Sequence, residues 1–197
     1  PYTLSLHDAL PIYSHTSLVG VRETAADSFC LGSNDVEAMI SGSLPLFNGG
    51  GDNRLGLFAY PAQSNMNGRR LPLRWPGQLR TASEGTPKIY TLLDAAALVS
   101  TSKLDLGDVL NAPDFTVLSF NKIFGFPDLG ALIVRRDSAD VLQSRKYFGG
   151  GTVETVACIK EQWHEPKVQN IHASLEDGTL PMHNIMALGI EIGRAHV

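Results

Sequence analysis

Residues 113–136 read PDFTVLSFNKIFGFPDLGALIVRR, and they join two apolar runs through a short polar segment. Phe115–Ser119 and Ala131–Val134 have the length and composition of buried strands. Two earlier runs, Leu55–Tyr60 and Ile89–Leu93, have the same character. Near-continuous apolar strands separated by helical segments are typical of a parallel sheet covered on both faces. The sequence therefore predicts an α/β fold with a mostly parallel sheet.

The remaining elements are less sharply marked. Thr16 or Ser17 is a suitable N-cap for a short helix, and Asp35–Ile40 is a second helical segment. Residues 41–54 are rich in Gly, Asn and Ser, so we expect a surface loop there that includes the triple glycine. Residues 61–88 combine turn residues with two cationic clusters, and we expect them to be mostly irregular.

Composition limits the function classes. The chain has 197 residues, a formal net charge of −4, 43% hydrophobic residues and 2 cysteines. A mildly acidic chain without a basic tract argues against a nucleic-acid partner. The few cysteines argue against a disulfide scaffold and fit a reducing compartment. Because no apolar run approaches the ~20 residues that span a bilayer, we expect a cytoplasmic globular protein with no membrane partner.

The two ends of the chain have an unusual character. Residues 1–12 read PYTLSLHDALPI and residues 192–197 read IGRAHV. Both match translations of common short-read sequencing adapters, in the expected orientation. Segments of this kind are excluded from fold reasoning. We therefore expect residues 1–12 and 192–197 to be adapter-derived, and residues 13–191 to be an internal piece of one incomplete domain.

Two polar residues follow predicted strands directly. In an α/β sheet, ligands bind beyond the carboxyl ends of the strands, which is where Asp94 and the Ser119–Lys122 segment fall. A lysine beside aromatic residues can serve as a Schiff-base amine, and a strand-terminal carboxylate can hold a pyridine nitrogen. Lys122 is equally consistent with an ordinary solvated lysine, and Asp94 with the cap of the next helix.

Two further features suggest a planar, phosphorylated ligand. The imidazole of His15 could stack on a flat ring, although a surface histidine at a helix start is the simpler interpretation. Gly149–Gly151 and Thr152 could present N–H groups and a hydroxyl to a phosphate, a weak signal because glycine-rich turns are common. The histidines and cysteines lack metal-ligand spacing, so no metal site is expected.

Taken together, several segments resemble a known family. In chain order they are HTSLVGVRE, FAYPAQSNMNGRR, LLDAAALVSTSKLDL, PDFTVLSFNKIFGFPDLGALIVRR, YFGGGTVETV and LEDGTL, spanning residues 15–180. They resemble the class V aminotransferase-like domain of molybdenum cofactor sulfurases, fungal members above all, which are related to NifS-like cysteine desulfurases. The resemblance implies the large domain of the type I fold of pyridoxal-phosphate-dependent transferases, a mostly parallel sheet sandwiched by helices, present incompletely.

The resemblance assigns roles around the ring of pyridoxal 5′-phosphate. It implies that Lys122 forms the Schiff base with the cofactor and that Asp94 pairs with the pyridine nitrogen. It places His15 on one face of the ring and Ala96 on the other. Asn65 would lie near the ring hydroxyl or the substrate carboxylate.

The resemblance also assigns contacts to the cofactor phosphate. Ser119 and Asn121 would bind it directly, and Thr152 would reach a phosphate across the interface of a homodimer. Asn121 departs from the family, which has Tyr or His at this position. Neither Cys30 nor Cys158 matches the family's persulfide-forming cysteine, so we expect both to be buried small apolar side chains.

The function implied by this resemblance belongs to a longer protein. Such an enzyme takes sulfur from L-cysteine through an enzyme persulfide and passes it to the molybdenum cofactor of xanthine dehydrogenase and aldehyde oxidase. Two alternatives stay open: a cysteine desulfurase or selenocysteine lyase homologue, and a truncated, catalytically inactive product. We expect the 197-residue chain alone to be inactive.

Overall fold

The structure is a computed structural model that describes residues 5–9, 13–46, 55–84, 88–145 and 147–195. The described residues form two compact units, residues 1–135 and 136–197. The triple glycine at 49–51, which was predicted to lie in a surface loop, is outside the described residues.

The first unit is built on a six-stranded sheet with the order β2-β1-β3-β4-β5-β6. All neighbouring strands are parallel except β5 and β6, which are antiparallel. The mostly parallel α/β architecture is therefore confirmed. The strands are β1 (Ser5–Ala9), β2 (Asp27–Leu31), β3 (Gly56–Pro61), β4 (Ile89–Asp94), β5 (Phe115–Ser119) and β6 (Gly130–Val134).

Among the described residues of this unit, four helices connect the strands. They are α1 (Thr16–Arg22), α2 (Ser33–Ile40), α3 (Trp75–Ala82) and α4 (Phe120–Phe124), with a 3₁₀ turn at Leu98–Ser100. Most of the described residues of 61–88 lie outside helices and strands, as predicted, but the helix α3 within this range was not predicted. Pro76 and Gly77 suggested a turn, but proline is compatible with the first turn of a helix, where no partner for its N–H is needed.

The antiparallel direction of β6 is compatible with the mostly parallel sheet that the sequence predicts, and it follows from the short connection to β5. Parallel neighbours require a crossover of a dozen or more residues. The connection from Ser119 to Gly130 is shorter and contains only the five-residue α4. The chain therefore turns back, and β6 pairs antiparallel with β5.

The main core of the first unit lies between the sheet and α2 and α3. Phe58, Tyr60 and Trp75 contact one another, with ring centroids 5.3 to 6.2 Å apart. The indole Nε1 of Trp75 donates a 2.8 Å hydrogen bond to Glu37 Oε1, which also pairs with Arg74. This bond satisfies the one polar atom of a fully buried tryptophan and joins α2 to α3.

The second unit contains short elements around one hairpin. It has 3₁₀ segments at Arg136–Ser144, Gly150–Thr152 and His172–Ser174, the antiparallel strands β7 (Val153–Ala157) and β8 (Trp163–Pro166), and the helix α5 (Met182–Ala195). Among the described residues, no helix combines the length and apolar character needed to cross a bilayer.

The suspected adapter segments stay a prediction. Within residues 1–12 the structure describes a strand, β1, which pairs in parallel with β2 and β3. Backbone pairing of this kind does not depend on the identity of the side chains. The pairing of β1 with β2 and β3 is therefore compatible with an adapter-derived segment and with a native one.

Candidate functional site

The carboxyl edge of the parallel strands gathers most of the predicted site residues. Asp94 is the last residue of β4 and Ser119 is the last residue of β5. Asp94 pairs in register with Val117, two residues before Ser119. Because side chains alternate along a strand, Asp94 and Ser119 project from the same face of the sheet.

Lys122 and Asn65 contact each other directly at this edge. Lys122 lies in α4, immediately after β5, and Asn65 lies in the loop after β3. The Lys122 Nζ donates a hydrogen bond of 2.6 Å to Asn65 Oδ1. Both residues are exposed, so the amine is accessible from solvent. The structure thus brings together two residues that the sequence placed at one site.

Asp94 has one engaged and one unengaged carboxylate oxygen. Its Oδ1 accepts a 3.0 Å hydrogen bond from the backbone N–H of Ala96. Within the described part of the chain, Oδ2 has no hydrogen-bond partner. The residue is half-buried, and the next residue, Ala95, is fully buried. Asp94 therefore caps the following turn, as one interpretation held, and keeps an acceptor for a further donor.

His15 is the N-cap of α1, a position that the sequence analysis assigned to Thr16 or Ser17. Its Nδ1 accepts a 3.2 Å hydrogen bond from the Ser17 N–H and lies 2.8 Å from Ser17 Oγ. An imidazole nitrogen can satisfy an orphan helix N–H as a hydroxyl does. The predicted N-cap was therefore one or two residues too late in the chain. The His15 side chain is exposed, and its Nδ1 is held by the Ser17 N–H.

The helix α4 presents polar groups next to Lys122. Ser119 is its N-cap residue but makes no side-chain capping bond. Across the described ranges, neither the Ser119 hydroxyl nor the Asn121 amide has a hydrogen-bond partner. The helix ends at Gly125, whose φ of 81° lies in the left-handed region that glycine tolerates. Two polar groups are thus available beside the lysine amine.

Thr152 belongs to the second unit, where the glycine turn has an internal partner. The N–H groups of Gly149 and Gly151 donate to Asp177 Oδ1 at 2.6 Å and to the Asp177 carbonyl at 3.0 Å. The buried Thr152 hydroxyl donates to the Gly149 carbonyl at 2.8 Å. The N–H groups of Gly149 and Gly151, which the sequence suggested for a phosphate, are thus occupied within the unit by the Asp177 carboxylate and the Asp177 main-chain carbonyl.

Electrostatics reinforce this turn. Arg145 Nη1 lies 2.7 Å from Asp177 Oδ2. The hydrogen bond from Arg145, followed by that from the Gly149 N–H, holds the pKa of Asp177 below its usual value. Methyl groups added at Gly149 or Gly151 would overlap residues 176–177, so this close approach requires glycine at both positions. The GGGT and EDGT motifs are thus two halves of one structural turn.

Both cysteines are exposed, which contradicts the expectation that they are buried. Cys30 lies on β2, an edge strand of the sheet, and Cys158 follows β7. Neither position is covered by another element of the described chain. Over the same residues, no cluster of three or more His, Cys, Asp or Glu side chains is arranged to hold a metal ion.

Sequence reasoning missed two arginines at the carboxyl edge. Arg69 and Arg70 follow Asn65 in the loop after β3 and contact residues near His15 and after Asp94. They appeared in the sequence only as part of a cationic cluster. Their place at the end of a parallel strand is the signal that could have identified them.

The comparison with protein families decides the assignment. The family model described as aminotransferase class-V matches residues 50–193, which include β3 to β6 and most of the second unit. The chain belongs to the class-V aminotransferase family. Six of the eight predicted site residues, Asn65, Asp94, Ala96, Ser119, Asn121 and Lys122, lie both in the matched range and in the first unit.

Two curated relatives of this class-V aminotransferase chain are fungal proteins. A molybdenum cofactor sulfurase of Botryotinia fuckeliana is 68% identical over 176 residues, which cover 89% of this chain and 22% of that protein. A molybdenum cofactor sulfurase of Chaetomium globosum is 58% identical, over 95% of this chain and 23% of that protein. The chain thus spans about a fifth of the length of the relatives it matches.

Solved structures share the fold of this class-V aminotransferase chain. The cysteine desulfurase of Thermococcus onnurineus has a TM-score of 0.60 at 20% identity, over 92% of this chain and 42% of that one. The cysteine desulfurase CsdA of Escherichia coli has a TM-score of 0.63 at 18% identity, with the same coverage. The predicted fold class, an incomplete type I transferase domain, is confirmed.

Proposed function

We propose that this chain is part of a molybdenum cofactor sulfurase and that the first unit holds pyridoxal phosphate at its carboxyl edge. The sulfurase assignment rests on 68% identity to a protein of that name over 89% of this chain. The cofactor assignment is supported by the Lys122–Asn65 hydrogen bond at the edge where Asp94 ends its strand.

The groups available at this edge fit pyridoxal phosphate chemically. Lys122 offers an exposed amine to the aldehyde, and Asp94 offers an unengaged, half-buried carboxylate oxygen to the ring N–H. Ser119 and Asn121 offer a hydroxyl and an amide to the phosphate. The exposed His15 and the small Ala96 are suited to the two faces of a flat ring. These roles come from different strands that end at one edge.

The chemistry divides between the cofactor and the chain. When bound, pyridoxal phosphate supplies an electron sink for bond breaking in an amino-acid substrate. Asn65 Oδ1 holds the Lys122 ammonium at the edge, and the lysine must give up a proton and this hydrogen bond before its amine can act as a nucleophile. The Asp94 carboxylate would hold a proton on the ring nitrogen, because a carboxylate next to a cation stabilises the charged form.

For the whole protein we propose L-cysteine as the substrate. Its sulfur passes to an enzyme cysteine thiol as a persulfide, leaving alanine, and then to the molybdenum cofactor used by xanthine dehydrogenase and aldehyde oxidase. Neither Cys30 nor Cys158 is proposed as that thiol. We further propose that the protein is a cytoplasmic homodimer in which Thr152 contributes to the partner's phosphate site.

Lys122→Ala tests the cofactor assignment. In the full-length protein loaded with pyridoxal phosphate, we expect wild type to show the visible absorption band of a lysine-bound cofactor and Lys122→Ala to lose it. Lys103→Ala is the matched control. Lys103 is an exposed lysine in the segment that follows β4, and among the described residues it makes no hydrogen bond or ion pair. A Lys122→Ala band equal to that of wild type overturns the assignment.

A second assay tests the sulfur acceptor. Full-length protein is incubated with L-cysteine and xanthine dehydrogenase that lacks the sulfur ligand of its molybdenum centre. We expect the dehydrogenase to regain activity. Release of sulfide from L-cysteine without this recovery would instead identify a cysteine desulfurase or a related lyase.

A further inference from the structure

The loop that carries Asn65 has a tight, hairpin-like backbone. We call residues 62–71 the Asn65 loop. The Leu71 N–H donates to the Ala62 carbonyl at 3.0 Å, the Ser64 N–H to the Arg69 carbonyl at 2.9 Å, and Gln63 pairs with Arg70 as an isolated bridge. Gly68 permits the turn with a φ of 71°. Asn65 therefore lies near the tip of a short closed loop whose base is fixed to β3.

Arg69 joins one side of this loop to the elements that follow β1 and β2. Its Nη1 donates to the Tyr13 hydroxyl at 3.1 Å, and its guanidinium lies 5.2 Å from the centre of the Tyr13 ring. Its Nη2 lies 3.5 Å from Ser33 Oγ, at the start of α2. Tyr13 precedes His15 by two residues. Arg69 thus connects the Asn65 loop to the segment that carries His15.

Arg70 joins the other side of the loop to the segment that follows β4. Its Nε donates to Gln63 Oε1 at 3.0 Å, within the loop, and its Nη2 donates to Ser102 Oγ at 2.6 Å. Ser102 follows the 3₁₀ turn that begins shortly after Asp94 and Ala96. Consecutive arginines therefore reach in opposite directions, one toward His15 and one toward Asp94.

Neither guanidinium is engaged in a conventional ion pair. All four acceptors, on Tyr13, Ser33, Gln63 and Ser102, are neutral oxygens, and no carboxylate pairs with Arg69 or Arg70 among the described residues. The planar, forked guanidinium fixes the direction of several hydrogen bonds at once, which a lysine ammonium does not. These contacts define geometry at the loop rather than neutralise charge.

We propose that Arg69 and Arg70 are positioning residues that hold Asn65 against Lys122 and set its place between His15 and Asp94. This inference rests on the proposed function, in which Lys122 and Asp94 hold pyridoxal phosphate. The arginines act through the Asn65 loop. A loop fixed in this way keeps Asn65 at the sheet edge before the cofactor arrives, so that only the Asn65–Lys122 hydrogen bond has to open, which lowers the ordering cost of binding.

A double-mutant cycle on Arg70 and Ser102 tests this role in the full-length protein. The readouts are the Kd for pyridoxal phosphate and the pH midpoint of its lysine-bound absorption band. We expect Arg70→Gln and Ser102→Ala each to raise the Kd by about fivefold, the size of effect for one lost hydrogen bond, and the pH midpoint to shift in both. The double variant should lose no more than Arg70→Gln alone, since the Arg70–Ser102 contact that Ser102→Ala removes is already absent in Arg70→Gln.

Further variants separate positioning from simple stability. Arg70→Lys should not restore the Kd, because an ammonium does not reproduce the forked contact with Gln63 and Ser102. Tyr13→Phe should weaken binding through Arg69 while keeping the aromatic ring. Arg74→Gln is the control, since Arg74 pairs with Glu37 on α2 and does not contact the Asn65 loop through any described hydrogen bond.

The outcomes distinguish this inference from the proposed function. If wild type forms no lysine-bound band with pyridoxal phosphate, the proposed function is wrong and this inference is lost with it. If wild type forms the band, but Arg70→Gln and Ser102→Ala match the Kd and pH midpoint of Arg74→Gln, only the positioning role of the arginines is overturned.

Discussion

The Tyr60 hydroxyl illustrates how much one hydrogen bond contributes inside the core of the first unit. The hydroxyl donates to the Pro72 carbonyl at 3.0 Å, and the side chain is fully buried. Burial raises the pKa of Tyr60 far above its ordinary value, so the hydroxyl stays a proton donor. Tyr60→Phe leaves the Pro72 carbonyl without this donor, and we expect urea denaturation to show a loss of about 1–2 kcal/mol.

Tyr90→Phe provides the control for this prediction. Tyr90 is 7% exposed, and its hydroxyl has no hydrogen-bond partner within the described residues. We therefore expect little change in stability. Equal losses in the two variants would contradict the role given to the Tyr60–Pro72 hydrogen bond.

Asp177 makes the second unit sensitive to acid. Its pKa is held below the usual value, chiefly by the hydrogen bond from Arg145. A carboxylate with a depressed pKa in the folded state stabilises the protein above its unfolded-state pKa, and this contribution is lost as the pH falls below about 4. We expect the hydrogen-exchange protection factors of residues 149–152, which correct for the slower intrinsic exchange in acid, to fall over that range.

Asp177→Asn separates this carboxylate from other acid effects. The amide oxygen can still accept from the Gly149 N–H, but the charge that favours Arg145 is gone. We expect faster hydrogen exchange at residues 149–152 at neutral pH, and protection factors that change less as the pH falls. An unchanged acid dependence in the variant would assign the effect to other carboxylates.

At the residue scale, features that depend on neighbours in the sequence were predicted, whereas contacts between residues far apart in the chain were not. Lys122 and Asp94 were identified because each directly follows an apolar strand. The contact of Lys122 with Asn65 was not predicted, since it joins residues 57 apart in the chain and depends on the spatial order of the strands. The exposure of Cys30 was missed for the same reason, because nothing in its neighbours marks β2 as an edge strand.

At the scale of elements, α3 depends on close packing at Gly77. A methyl group there would lie 2.6 Å from the Leu110 carbonyl oxygen and from Asn111 Oδ1. Ala is the better helix former by about 1 kcal/mol, but a backbone oxygen cannot move aside easily. We expect Gly77→Ala to destabilise the protein by about 1–3 kcal/mol, as overpacking does, measured by urea denaturation.

Gly20→Ala in α1 is the matched control for this packing effect. Nothing lies within 4 Å of the position that its Cβ would occupy. With no steric cost, the helix propensity of alanine should stabilise the protein by up to about 1 kcal/mol. Stabilisation in both variants would show that α3 can shift away from residues 110–111.

The strands were more predictable than the helices. Each of the four predicted strands is present, because a continuous apolar run is visible in the local sequence. β6 is nevertheless mostly exposed, and the strands β2, β7 and β8, which are also mostly exposed, were not predicted. The helix α3 was missed because its first turn contains proline and glycine and its stability comes from burying Trp75 and Leu79. The antiparallel direction of β6 follows from the short connection after β5, a length that the sequence contains but that the strand prediction did not use.

At the scale of the whole molecule, activity should require more than this chain. The family resemblance places the sulfur-accepting cysteine at neither Cys30 nor Cys158. We therefore expect the isolated 197-residue chain to release no sulfide from L-cysteine under conditions where the full-length protein is active. Sulfide release by the isolated chain, lost on replacing Cys30 and Cys158 by serine, would contradict this expectation.

One topological rule predicted a part of the site, and the family resemblance supplied the other residues. Because the carboxyl ends of parallel strands meet at one edge, Asp94, Ser119 and Lys122 could be placed together before any coordinates. The same rule applies to β3, where Asn65, Arg69 and Arg70 follow the strand. The internal pairing of the glycine turn with Asp177 could not be predicted, since it joins two loops of the second unit.

The two tryptophans give the molecule a natural pair of optical reporters. Trp75 is fully buried in the first unit, and Trp163 is 53% exposed on β8 of the second unit. An indole shielded from water emits at shorter wavelength and resists collisional quenchers, whereas an exposed one does not. Iodide should therefore quench Trp163 selectively, and the remaining blue emission of Trp75 would follow the unit that carries Lys122 while the protein binds its ligands.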